Sequence, residues 1–230
     1  MRPFLCRWEE LPDELRIAEV RPYWEKLNSK YSQIVAKRAF DVAGSVALIA
    51  ALSPAMIATA IAVKADSPGP VMYRQERVTQ YGRHFRIHKF RTMVDGADKI
   101  GALVTSGGDS RVTRIGHVLR KYRIDEFPQL FDILKGDMSF VGTRPEVPKF
   151  VAAYTPEMLA TLLLPAGVTS RASIEFKDEA SLIDKECDPD KGYIDIVLPA
   201  KMAINIIGLR QFGFINEIKV MIDTVAAVIV

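Results

Sequence analysis

The sequence predicts a mixed α/β domain, rich in helix with one small β-hairpin, and tied to a membrane by an N-terminal re-entrant helix-break-helix. Three observations carry that prediction. From Val42 to Val63 the chain runs 22 residues without a charge, interrupted near the middle by Ser53-Pro54. Two β-prone stretches then flank the turn "TQYG". From "TRIGHVLRKYR" onward the apolar residues recur at helical spacing.

A chain of 230 residues with 49% hydrophobic composition holds one substantial core, or one domain plus an attached membrane element. The net charge is only +3, but residues 71–150 carry 15 Lys/Arg against 9 Asp/Glu, so the positive excess is local. Cys6 and Cys187 have neither CxxC nor metal-knuckle spacing, which points to reduced thiols in a cytosolic setting. Glu9, Glu10, Asp13, Glu14 and Glu19 stand where a secretory signal needs an apolar core, so the bulk of the protein is expected in the cytosol.

Residues 1–36 read as an amphipathic helical lead-in, with Leu11, Leu15, Ala18, Trp24, Leu27 and Ile34 among charges and Pro22 as an interruption. It serves either packing and dimerisation or a membrane surface. Residues 37–66 form the apolar element. As a straight helix its uncharged part is about 33 Å long, against a hydrocarbon core of about 30 Å. Pro54 removes a backbone hydrogen bond and costs roughly 3 kcal/mol unless the helix bends. Ser53 is able to bond a carbonyl that the proline frees. Lys37 and Arg38 precede the segment and Lys64 follows it, whereas a spanning helix biases its cations to one side. A hairpin that enters and leaves by one face accounts for these features better than a true span or a buried soluble helix.

Residues 67–230 make up the expected cytosolic domain. After the turn "DSPGP", "VMYRQERV" and "HFRIHKFRTM" form the hairpin, with Phe85 and Ile87 opposite Arg86 and His88. His84 and His88 lack partners at metal-ligand spacing and are expected to be solvated or hydrogen-bonded. "TSGGDS" reads as a flexible loop without a phosphate-loop signature. "TRIGHVLRKYR" predicts a helix with Ile115, Val118, Leu119 and Tyr122 on one face. A second helix begins near Asp125 and ends before Gly136, with Phe127, Leu130, Phe131 and Leu134 on one stripe. "GDMSFVGTRPE" reads as a loop, "PEVPKFVAAY" and "PEMLATLLL" as short helices, and "PAGVTSRASIEFKDEA" as loop or strand. The C-terminus alternates apolar helical stretches with glycine breaks. Its last residues, "MIDTVAAVIV", are apolar enough to lie on a membrane and too short to cross one.

The chemistry concentrates at "YRIDEFPQL". Asp125 and Glu126 are either a helix cap held by nearby cations or the reactive centre of a site for something more negative than themselves. Free amides and the helix dipole favour an ionised Asp125, and Arg120, Lys121 and Arg123 act the same way. An ionised aspartate is able to attack phosphorus. To approach a pyrophosphate it needs arginine clamps, often with a divalent metal. Glu126 would serve as general base or metal ligand. The residues alone leave both readings open.

From Lys37 to Ile174 the chain resembles the bacterial sugar transferase family, the monotopic polyprenyl-phosphate phosphoglycosyl transferases. "KRAFD", the "SP" break, "SPGPVMYRQERV", "HKFRTM", "RIDEFPQLFDILKGDMSFVGTRPE" and "GVTSRASI" fall in the family's order and approximate spacing. The resemblance implies transfer of a phospho-sugar from a UDP-sugar to a polyprenyl phosphate such as undecaprenyl phosphate. UMP is released and glycan assembly begins. It implies Asp125 as the nucleophile of a covalent phospho-sugar intermediate, Glu126 as its dyad partner, and Mg2+ at the site. Arg120 and Arg144 fall on the family's phosphate-contacting arginines. Lys89 and Arg91 add positive charge to the same cleft, or else form a solvated strand face. The re-entrant helix would hold the protein in inner-leaflet lipid on the cytosolic face of the bacterial inner membrane, and a homodimer is compatible with this picture.

The sequence departs from the family pattern at Thr143, where a proline is usual, at Arg123-Ile124 for a usual Ser-Leu, and at "PAGVTS" for "RPGITG". These bear on sugar choice more than on the chemistry. A competing function is a catalytically silent membrane-bound scaffold or regulator of polysaccharide assembly. Nucleic-acid binding is not expected, because the charge lacks a helix-turn-helix or an aromatic-rich sheet.

Overall fold

The computed structural model describes residues 4–97, 109–176 and 189–229. Cys187 and most of the "TSGGDS" loop lie outside the described residues; Cys6 is a free thiol. After a 3-10 turn at Trp8–Glu10 come helix α1 (Arg21–Ser29) and the long helix α2 (Tyr31–Asp66). The lead-in is packed rather than loose. Leu5, Leu11, Val20, Tyr23 and Leu27 are buried against Ala160, Leu163, Ile206 and Phe212.

Helix α2 continues through Ser53-Pro54 as one element, and the 36/37 boundary lies inside it. The physical reason is local. Pro54 has no N–H for the Ala50 carbonyl one turn back, and the Ser53 hydroxyl donates to that same carbonyl at 2.9 Å.

The charges of "KRAFD" dock the start of α2 onto the domain. Lys37 donates to the Val141 carbonyl at 2.8 Å and pairs with Glu217 at 2.7 Å. Asp41 accepts from the Ser139 hydroxyl and the Phe140 amide. Arg38 donates to the Ile133 and Leu134 carbonyls. The far end is docked as well. Asp66 accepts from the Ile115 amide at 3.0 Å, and Val63 is buried with Phe90 and Leu119. Between these anchors only 11% of the most apolar 18-residue window is buried, and Val46, Ile57 and Ile61 face outward.

Strands β1 (Met72–Val78) and β2 (His84–Phe90) form the expected antiparallel hairpin, from Met72 opposite Phe90 to Val78 opposite His84. Phe85 and Ile87 face the core with Leu130, Ile133 and Phe140. Helix α3 (Arg114–Lys121) is capped by Thr113, whose hydroxyl accepts from the Gly116 amide. Its buried face is not the expected one: Leu119 is buried, while Val118 and Tyr122 are exposed. Gly116 sets that rotation, because a Cβ there would lie 2.0 Å from the Thr92 carbonyl oxygen.

Helix α4 (Gln129–Lys135) closes on Gly136 in the left-handed region. The next segment corrects a second expectation. Residues of "GDMSFV" read as loop form strand β3 (Met138–Val141), paired in parallel with β4 (Ala166–Thr169). All four β3 residues are buried, so no alternation marks the strand. Beyond β3 the two chains nearly touch. A Cβ on Gly167 would lie 2.1 Å from the Gly142 nitrogen. Gly142 N–H donates to Thr169 and Gly167 N–H to Thr143, which fastens the loop that carries Arg144.

Short helix α5 (Pro148–Val151) follows, then a 3-10 stretch at Met158–Leu163, and α6 (Arg171–Glu175) follows β4. Helix α7 (Pro189–Arg210) contains one wide π-type turn at Tyr193–Val197 and is a core helix through Val197, Leu198, Met202 and Ile206. Among the described residues α2 and α7 are the two helices long and apolar enough to cross a membrane. Helix α8 (Phe214–Ile229) packs beside α2 and β3, with Val220 buried and Ile222 and Val225 exposed.

Candidate active site

The site is built where three local features meet: the inner face of β2, the end of α3 and the glycine-fastened loop after β3. Lys89 shares the inward β2 face of Phe85 and Ile87, so the strand's period of two aims its ammonium at the turn before α4. Helix α3 ends and the chain reverses at Arg123, a non-glycine residue at φ 56°. That left-handed conformation costs roughly 1 kcal/mol. Ile124–Glu126 then form a single 3-10 turn. The acidic pair therefore precedes α4 rather than starting it, and a seven-residue helix contributes little dipole.

Glu126 is the anchored member. Its Oε1 accepts from Lys89 Nζ at 2.9 Å and Arg144 Nη2 at 2.5 Å, and its Oε2 from Arg144 Nη1 at 3.4 Å. Burial pushes this carboxyl upward, but Arg144 and Lys89 outweigh it and hold Glu126 well below the usual carboxylate range. Asp125 is 7% exposed and differs from its neighbour in kind. Among the described residues none donates a hydrogen bond to its carboxylate. Burial raises its pKa, Lys89 opposes that rise, Glu126 adds to it, and Arg120 and Arg144 oppose it. Burial thus works against the ionised form of Asp125 and the three cations work for it, whereas at Glu126 the cations prevail. Lys89 is itself lowered by burial, against the pull of Glu126.

Arg120 reaches the same region, with Nε donating to the Thr92 hydroxyl at 2.9 Å. Arg91 does not join the cluster. Strand β2 ends at Phe90, and the Arg91 guanidinium donates to the Ser67 and Pro68 carbonyls, bracing the end of α2. His84 bonds Glu76 at 2.8 Å and His88 bonds Asp132 at 2.5 Å, the hydrogen-bonded imidazoles expected of them.

Arg120, Lys121, Arg123, Glu126 and Arg144 line a cavity of about 600 Å³. Apolar side chains line the same cavity, among them Leu48 and Leu52 from α2 and Met221 and Val225 from α8. One polar component, Lys201 of α7, was not among the site residues expected from the sequence. Among the described residues no group of three His, Cys, Asp or Glu is placed to hold a metal. The donor chemistry still fits one divalent ion. Both Glu126 oxygens are engaged by cations, whereas the Asp125 carboxylate is open to a metal that takes its remaining ligands from phosphate and water.

Residues 32–230 match the family model described as bacterial sugar transferase. The chain belongs to that family. Among relatives of this bacterial sugar transferase, UDP-N-acetylgalactosamine-undecaprenyl-phosphate N-acetylgalactosaminephosphotransferase of Aeromonas hydrophila is 50% identical over 122 residues, covering 53% of this chain and 29% of the relative. Undecaprenyl-phosphate glucose phosphotransferase of Komagataeibacter xylinus is 44% identical over 141 residues, covering 60% and 25%. The sugar transferase EpsL of Bacillus subtilis is 30% identical over 197 residues, covering 86% and 89%. The alignments thus span under a third of the first two relatives' length. The sugars in those two names differ, so family membership does not specify the sugar.

Proposed function

We propose that this bacterial sugar transferase moves a sugar 1-phosphate from a UDP-sugar to a polyprenyl phosphate, with undecaprenyl phosphate as the natural acceptor, and releases UMP. The observation that carries the reading is the mixed lining of one cavity. Cations beside the acidic pair share it with apolar side chains from α2, the helix whose outer face is left apolar. A soluble phosphate donor and a lipid phosphate acceptor need both kinds of lining in one place.

In the first step an Asp125 oxygen forms a bond to the phosphorus bearing the sugar. The bridging P–O bond breaks, and UMP leaves with the electron pair. In the second, a phosphate oxygen of the acceptor forms a bond to the same phosphorus and the Asp125–phosphorus bond breaks, restoring the carboxylate. The acceptor phosphate is already anionic at neutral pH, so no strong base is required. Glu126, with its basicity depressed, serves better as the counter-charge that orients Lys89 and Arg144 than as a general base. Arg120 and Arg144 neutralise the phosphates as Asp125 approaches. Mg2+, held by Asp125 together with phosphate oxygens, would supply further charge neutralisation.

With both ends of α2 fixed to one globular layer, the apolar helix lies in the inner leaflet without crossing, and the protein is monotopic on the cytosolic face. A cytosolic origin of the sugar donor fits that side. In a background lacking native cysteines, Ser29→Cys and Ala65→Cys are both expected to be shielded from an impermeant thiol reagent added to intact cells. Labelling of one alone would mean a spanning helix.

The decisive test of the reaction omits the lipid. A UDP-sugar panel with Mg2+ is expected to release UMP in stoichiometric amount and leave a phospho-sugar mass on Asp125. Donor binding with no UMP release would instead mark a silent scaffold.

A further inference from the structure

Lys201 is the one cation lining the cavity, among its described residues, that comes from α7 rather than from the segment between β2 and β4. Its side chain is 6% exposed. The ammonium donates to the Tyr193 hydroxyl oxygen at 3.1 Å and lies 3.9 Å from Glu146, while the Tyr193 hydroxyl itself donates to Glu146 at 2.5 Å. A buried lysine needs such partners to stay charged. These contacts place its ammonium beside Glu146, two residues beyond Arg144. Ser173 and Phe176, on and just after α6, which packs on α7, line the same cavity.

The cavity thus draws cations from two separate parts of the chain, and of the two substrates the nucleotide-sugar has the more polar groups to meet them. A polyprenyl phosphate carries one phosphate followed by hydrocarbon. A nucleotide-sugar carries two phosphates and a base. When Asp125 attacks the sugar-bearing phosphorus in line, the leaving oxygen points away from the nucleophile. We propose that Lys201, with Ser173 and Phe176, binds the nucleoside monophosphate half of the donor. The ammonium bonds its phosphate, and the Phe176 ring offers a stacking face to the base. This assignment rests on the transferase reading above.

The test compares wild type, Lys201→Met and Lys201→Arg as full-length protein in nanodiscs. UMP binding is measured by calorimetry, and donor and acceptor kinetics in the same preparations. Lys201→Met is expected to weaken UMP binding and raise the donor KM together, by about tenfold or more. The acceptor KM should be unchanged, and Lys201→Arg should recover most of the loss. Unchanged UMP affinity in Lys201→Met overturns the assignment. So does a parallel loss for donor and acceptor that arginine fails to rescue and that comes with a lower melting temperature, since that is the pattern of a purely structural lysine. If wild type releases no UMP from any UDP-sugar, the transferase reading fails; if it does and only the Lys201 results disagree, this assignment alone fails.

Discussion

Two buried charge clusters lie within this fold and are solved in opposite ways. At the docking knot of α2, Lys37 has both Glu217 and a carbonyl, and Asp41 has a hydroxyl and an amide. At the acidic pair, Lys89 and Arg144 converge on Glu126, and Asp125 is left without a hydrogen bond among the described residues. A cluster whose charges are all satisfied holds elements together. One that leaves a desolvated carboxylate beside several cations costs stability, which is the pattern expected of a binding or reactive site.

Substitutions that separate the two clusters should separate activity from stability. The largest effect is expected from Asp125→Asn, which should lower UMP release by roughly a thousandfold or more while leaving the melting temperature unchanged or slightly raised. Near-normal turnover in that variant would remove the nucleophile assignment. Lys37→Met should do the reverse. Leaving Glu217 and the Val141 carbonyl without their cation is expected to destabilise the fold by about 3 kcal/mol in denaturant titration, with the residual activity of folded molecules retained.

Acidity gives a third contrast, smaller in size. Asp125 ionises above the ordinary aspartate value of 3.8, so its attacking anion accumulates only as pH rises through that raised value, and the rate falls below it. Lys89→Met removes a cation that pulls Asp125 down and should shift the acid limb of the rate profile to higher pH. Glu126 has the opposite sign. Its folded value is depressed below the ordinary 4.5, so its contribution to stability is complete above that value and is lost as pH falls through the depressed one. Glu126→Gln should therefore flatten the acid-side loss of stability, read by melts between neutral and low pH. The smallest effect is expected on α3. Val118→Ala should change stability by less than about 0.5 kcal/mol, while Leu119→Ala should cost about 2 kcal/mol or more.

Much of the site was legible because its chemistry is packed into one run of sequence. Asp125, Glu126 and Arg120 lie within seven residues, and Arg144 follows one helix and one strand later. Lys89 and Arg91 looked equivalent because a strand repeats every two residues. They parted because β2 stops at Phe90, and Arg91 is claimed by carbonyls at the end of α2. Strand β3 was read as loop because full burial erases alternation, and its partner β4 lies more than twenty residues downstream.

Composition and spacing by themselves determined the hairpin, the apolar segment and the acidic pair with its cations, while the family was legible only through the resemblance of the motif block. Those depend on local periodicity and on residue types whose chemistry is the same wherever they fold. Only the tertiary structure decided which carboxylate pairs with Lys89 and Arg144, that α2 runs through Pro54 with both ends docked on the domain, and that Lys201 lines the cavity. Each of these depends on burial and on partners distant in sequence, such as Arg144 for Glu126, Val141 for Lys37 and Glu146 for Lys201. Desolvation and long-range pairing are properties of the packed chain, which no local pattern encodes.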